Sequence, residues 1–193
     1  SIPGGTTTAL AVLKGFGIDT SVSSSMPKNP IEIKNNVVSS ALKRKTSDDA
    51  FEIIAELGDP MIPVCAGMLS EASKNCRVIL AGGTQMTAVL AFAKKVGYEK
   101  NNTAIGCTSY IIDDKEALFL ETVKQIDDIA VLAIDPMLSD SQFHGLRSYS
   151  EGFVKEGAGA GGSLIASVLK TGRSSERLLE LIEKEYQRIT TLQ

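Results

Sequence analysis

Arg77-Val78-Ile79-Leu80-Ala81-Gly82-Gly83-Thr84-Gln85-Met86-Thr87 runs from an unbroken apolar stretch, through two glycines, into residues that open a helix. The stretch is apolar without alternation, the pattern of a strand covered on both faces of a parallel sheet. Strand, glycine turn, hydroxyl cap and a helix over Ala88–Val96 make a βα unit. Its turn lies at the carboxyl edge of the sheet, where open α/β folds bind their ligands.

The unit recurs downstream. A strand is predicted over Thr103–Cys107, a helix over Lys115–Ile126 and a further buried strand over Ile129–Ile134. Strands and helices alternating at this spacing predict an α/β fold in three αβα layers around a mainly parallel, doubly wound, Rossmann-like sheet. Upstream, Gly4-Gly5-Thr6-Thr7-Thr8 leads into a short apolar helix over Ala9–Leu13, and Pro30 opens a helix carrying Ile33, Val37, Val38, Ala41 and Leu42. Ser21–Pro27 reads as a loop. Thr46-Ser47-Asp48-Asp49 is a helix-start signal, Gly58 with Pro60 stops that helix, and a more apolar one follows over Asp59–Lys74 with a kink expected at Pro63. The chain ends with helices over Leu164–Lys170 and Ser174–Leu192. The 193 residues fit one domain, and the start at Ser1, directly ahead of a motif, reads as the C-terminal part of a longer chain.

Composition removes several functions. A net charge of −3 provides no basic field for nucleic acid, and 5% aromatic residues without Trp provide no stacking platform. No apolar run is long enough to span a membrane. Cys65, Cys76 and Cys107 have no metal-ligand spacing and read as reduced core residues of a cytoplasmic protein. His144, the single histidine, stands in an irregular stretch, so no metal is assigned.

Lys155-Glu156-Gly157-Ala158-Gly159-Ala160-Gly161-Gly162-Ser163 joins one carboxylate to a nearly side-chain-free run. Bare backbone at a helix start admits a ligand anion or a closely packed neighbour, and the residues alone leave both readings open. Thr6–Thr8 are open in the same way, as helix caps or as phosphate contacts. Gly157, Gly159 and Gly162 satisfy G-x-G-x-x-G, but no buried strand precedes them and Glu180 falls within a helix, which disfavours a dinucleotide site. No P-loop and no Ser-His-Asp constellation is present. Three Gly/Thr turns and one isolated Glu remain, a set suited to a phosphorylated sugar and a proton transfer.

These residues resemble the nicotinate-nucleotide:dimethylbenzimidazole phosphoribosyltransferase family, specifically its archaeal and cyanobacterial relatives. Ile2-Pro3-Gly4-Gly5-Thr6-Thr7-Thr8 is similar to the family's phosphate loop, with Gly5 in place of an Asn. Lys34 falls where the family has a phosphate-contacting lysine. Ala81-Gly82-Gly83-Thr84 falls where a strand-end Asp-Gly lines the ribose-phosphate pocket, with Ala81 at the acidic position. Lys155–Ala160 resembles the Gly-Glu-Gly-Ser-Gly-Ala motif, and the resemblance implies Glu156 as catalytic base with Gly157 and Gly159 beside the substrate. A second family Glu would lie upstream of Ser1. The resemblance implies transfer of the 5-phosphoribosyl group of nicotinate mononucleotide to a benzimidazole-like or purine base, for the lower ligand of cobalamin. It implies no cofactor and a homodimer. The alternative from another class is a non-catalytic module that binds a nucleotide or sugar phosphate.

Overall fold

The computed structural model describes residues 3–191, apart from the side chain of Ala158. Ile2, at the head of the first glycine turn, and Leu192, expected to close the last helix, lie outside the described residues.

Four helices come first: α1 (Gly5–Gly15), α2 (Ile31–Leu42), α3 (Ala50–Leu57) and α4 (Met61–Ala72). Within the expected start signal Thr46–Asp49, Asp49 is the residue that caps α3, accepting the Phe51 and Glu52 N–H groups. Pro63 sits in the first turn of an unbroken α4 and not at a kink; a first-turn proline gives up no intrahelical hydrogen bond. The α2 pattern holds in part: Val38 is buried and Ala41 and Leu42 pack against the core. Ile33 and Val37 are exposed, whereas Lys34 is buried.

The sheet follows, as β1 (Val78–Ala81), α5 (Thr84–Val96), β2 (Thr103–Thr108), α6 (Ser109–Ile112), α7 (Phe119–Ile126) and β3 (Ala130–Ile134). The strands are parallel and ordered β1-β2-β3, with Leu80 opposite Ile105 and Ala81 opposite Gly106. α5 is apolar on all sides over Ala88–Ala93, and every residue of that run is buried. It packs against α1, α4 and α7 and forms the centre of the core, with Phe92 edge-on to Phe51. Leu80, Ile105 and Cys107 join this cluster.

After β3 come α8 (His144–Arg147), α9 (Ala160–Thr171) and α10 (Ser175–Thr190). α9 contacts all three strands. It approaches so closely because it begins in glycine: a Cβ on Gly161 would lie 2.0 Å from the Cys107 carbonyl carbon. α10 packs on the 141–145 segment, where Phe143 meets Tyr186 and Glu183 accepts from the Ser141 hydroxyl.

The structure therefore shows an α/β fold with a small parallel sheet. The sequential strand order has no reversal among the described strands, and double winding needs one. Three expectations are corrected. β3 is half exposed and not buried, because it is an edge strand. The helix expected from Lys115 begins at Phe119, because Asp114 accepts the Glu116 N–H and holds residues 114–117 in a turn. Of the cysteines only Cys107 is in the core; Cys65 is half-buried and Cys76 exposed.

Candidate functional site

A cavity of about 790 Å³ opens at the carboxyl end of β1, and three remote segments meet around it. The first is the start of α1, where Gly4, Gly5 and Thr6 line the wall. Gly4 is the N-cap at φ 72°, a left-handed conformation suited to glycine, and its carbonyl accepts the Thr7 and Thr8 N–H groups. A glycine cap has no side chain to offer the first-turn N–H groups, which leaves that end of the helix suited to an anion. Thr7 does not line the cavity. Thr8 turns inward to the Gly5 carbonyl and the Asp59 carboxylate, so its hydroxyl serves packing.

The second segment is Gly82, Gly83 and Thr84, between β1 and α5. The Gly82 N–H donates to the Gly106 carbonyl at 3.0 Å, which extends the sheet into the turn. A Cβ at Gly83 would lie 2.9 Å from Ile111 Cδ1, so α6 packs directly beneath the turn.

The third segment is 154–159, which brings Glu156, Gly157 and Gly159 to the same wall. Val154 and Lys155 both have positive φ, at 64° and 41°. For a β-branched residue this is a true outlier, and such conformations cost about 1–3 kcal/mol each. Several bonds hold the turn. The Val154 N–H donates to the Ser25 carbonyl at 2.9 Å, and the Thr108 hydroxyl donates to the Lys155 carbonyl at 2.8 Å. The Lys155 ammonium reaches Asp114 at 2.7 Å, both side chains being nearly buried.

Glu156 is 9% exposed. Its Oε1 accepts the Gly161 N–H at 2.8 Å, and its Oε2 accepts the Thr108 N–H. Burial pushes its pKa above the ordinary carboxylate value, opposed by those two backbone donors. The carboxylate in turn helps push the neighbouring Cys107 thiol, already raised by burial, to about 12. A buried carboxylate with a raised pKa is a stronger base than one in water.

Lys34 does not reach the cavity wall. Its ammonium donates to the Ser23 carbonyl at 2.7 Å and to Asn29 Oδ1 at 2.8 Å, so it braces the Ser23–Ser25 loop from behind. Burial, and then the nearby Lys155 charge, lower its pKa. The residues that sequence reasoning passed over are those loop serines, the Lys155–Asp114 pair and an apolar wall from α4 carrying Met61, Cys65 and Met68. Met68 is 68% exposed beside the cavity. No sequence signal distinguished that wall from core. Among the described residues no group of three or more His, Cys, Asp or Glu is arranged to hold a metal, and no helix is long and apolar enough to cross a membrane.

The fold and site define an α/β chain whose glycine turns converge on a cavity at a strand end, and comparison with known proteins narrows the class. A family model described as phosphoribosyltransferase matches residues 4–109. The chain belongs to that family, the nicotinate-nucleotide:dimethylbenzimidazole phosphoribosyltransferases. The chain is also 44% identical over 98% of its length to a UPF0284 protein of Archaeoglobus fulgidus, covering 53% of that protein. It is 40% identical over 98% of its length to a UPF0284 protein of Thermococcus kodakarensis, covering 57% of it. Against a UPF0284 protein of Methanocaldococcus jannaschii the identity is 41% over 96% of the chain and 55% of the relative. The chain thus spans about half the length of the curated relatives it matches.

Proposed function

We propose that this chain carries the nucleotide site and the general base of a phosphoribosyltransferase. In this reading the enzyme moves the 5-phosphoribosyl group of nicotinate mononucleotide to a benzimidazole-like base, a step toward the lower ligand of cobalamin. One observation carries the reading: Glu156 and the two phosphate-suited turns, Gly4–Thr6 and Gly82–Thr84, line one cavity. The nucleotide phosphate rests on the α1 and α5 starts. A ring nitrogen of the acceptor attacks C1′, the bond from C1′ to the nicotinate nitrogen breaks, and its electron pair neutralises the pyridinium. Glu156 takes the proton from the acceptor's other ring nitrogen, a contribution of about 10²–10⁴-fold, while the cavity contributes by positioning. The Met61 and Met68 side gives a flat aromatic base an apolar surface. The acceptor can equally be a purine, since both present two ring nitrogens.

The wider features go with this proposal: a cytoplasmic homodimer, with the three strands forming part of a three-layer, doubly wound sheet. A second reading has its own support. Both Glu156 oxygens already accept backbone N–H groups, which a structural carboxylate in a non-catalytic nucleotide-binding module would also do. Glu156→Gln separates the two in the intact protein. Loss of turnover with nucleotide affinity retained supports the enzyme; turnover at the wild-type rate sinks the catalytic role.

A further inference from the structure

Glu156 is held by a turn that its own sequence disfavours, so some external group must fix it. Lys155, the residue immediately before it, reaches Asp114 across the chain. Asp114 Oδ2 also accepts the Ser23 hydroxyl at 2.5 Å, and its Oδ1 accepts the Glu116 N–H at 3.1 Å. One buried carboxylate therefore joins the strained turn to the 114–117 turn and to the neighbouring serine loop, which also lines the cavity. Lys34 supports that loop through the Ser23 carbonyl, and Ser25 closes the circuit by accepting the Val154 N–H. Asp114 does not line the cavity that holds Glu156, so it acts only through these partners.

We propose that Asp114 is a positioning residue: through the Lys155 ammonium it holds the 154–155 turn so that the Glu156 carboxylate stays seated on the Thr108 and Gly161 N–H groups. The proposal rests on Glu156 being the base, but its test does not need turnover. Amide hydrogen exchange on the 193-residue chain reads the seat directly, because those two N–H groups are protected by the Glu156 carboxylate. With Asp114→Asn or Lys155→Met, exchange at Thr108 and Gly161 should rise roughly 10-fold or more, while Val89 in the buried centre of α5 keeps its protection. Lys155→Arg, which can still pair with Asp114, should restore protection. Ser23→Ala removes one bond and leaves the ion pair, so it gives a smaller rise at the same amides and serves if Asp114→Asn does not fold. Where turnover is measurable, Asp114→Asn should lower kcat with nucleotide affinity unchanged. Unchanged exchange at both amides overturns the proposal. So does an equal rise at Val89, which would make Asp114 an ordinary stability residue. Wild-type turnover by Glu156→Gln, with the exchange results as expected, would instead remove the catalytic role of Glu156 and leave the positioning intact.

Discussion

Gly162 and Ala81 are so close that a Cβ built on the glycine would lie 2.4 Å from the alanine Cβ and 2.6 Å from its Cα. The second atom is backbone, so it cannot yield by a rotamer change. Gly162→Ala must push α9 away from β1, and overpacking of this kind costs about 1–3 kcal/mol. The same displacement carries the Gly161 N–H away from Glu156. A lower urea midpoint with an unchanged m-value is the expected outcome, and equal midpoints would show that the sheet accommodates the methyl group.

The pH dependence of stability separates the two buried carboxylates. Glu156 has a folded pKa raised by burial above the ordinary carboxylate value of 4.5. Above 4.5 the unfolded state therefore loses its proton first, and stability falls as pH rises toward the folded value. Glu156→Gln removes that slope. Stability curves of wild type and variant, measured by urea unfolding from pH 4 upward, should differ in gradient over that window and run parallel above it.

Asp114 runs the other way. Burial alone would raise it, but hydrogen bonds from Lys155 and Ser23, with the Lys155 charge, hold it below its ordinary 3.8. Its contribution is present above 3.8 and lost as pH falls through the depressed folded value. Asp114→Asn should lower the protection of the Thr108 and Gly161 amides at pH 7, and the gap from wild type should narrow in acid. A gap independent of pH would show that the side chain acts by shape and not by charge.

Local signals made the turns and most helix C-termini legible, whereas α1, α5 and α9 begin at Gly5, Thr84 and Ala160, inside the stretches read as turn or cap. The apolar run before Gly82, the Asp49 cap and the αL glycine at Gly172 depend on neighbours in sequence, and each stands where its pattern places it. What failed depends on distant chain. Lys34 lies on the buried side of α2 because Ser23 and Asn29 accept its protons, and no helical periodicity contains that information. The run 157–162 was ambiguous because it does both things the sequence allowed. Gly157 and Gly159 line the cavity, while Gly161 and Gly162 are helix residues pressed on β2 and β1. Ala81, read against the family's acidic position, has its methyl group against Gly162.

The phosphate turns make a prediction of their own. If Gly4–Thr6 and Gly82–Thr84 hold the phosphate, affinity comes chiefly from charge-assisted hydrogen bonds at two helix starts. Nicotinate mononucleotide should then bind far more tightly than nicotinate riboside, which differs only in lacking that group. Hydrogen bonds to a charged group contribute about 1.5–3 kcal/mol each, so losing two predicts a drop of roughly 10²-fold or more. Calorimetric titration of both ligands checks this. Gly4→Ala should erode the difference: the cavity side is open, but an alanine at φ 72° is strained by about 1–2 kcal/mol and shifts the first turn of α1. Equal affinity for nucleotide and nucleoside would mean that these helix starts contribute nothing to the phosphate. Recognition would then lie with the apolar α4 wall.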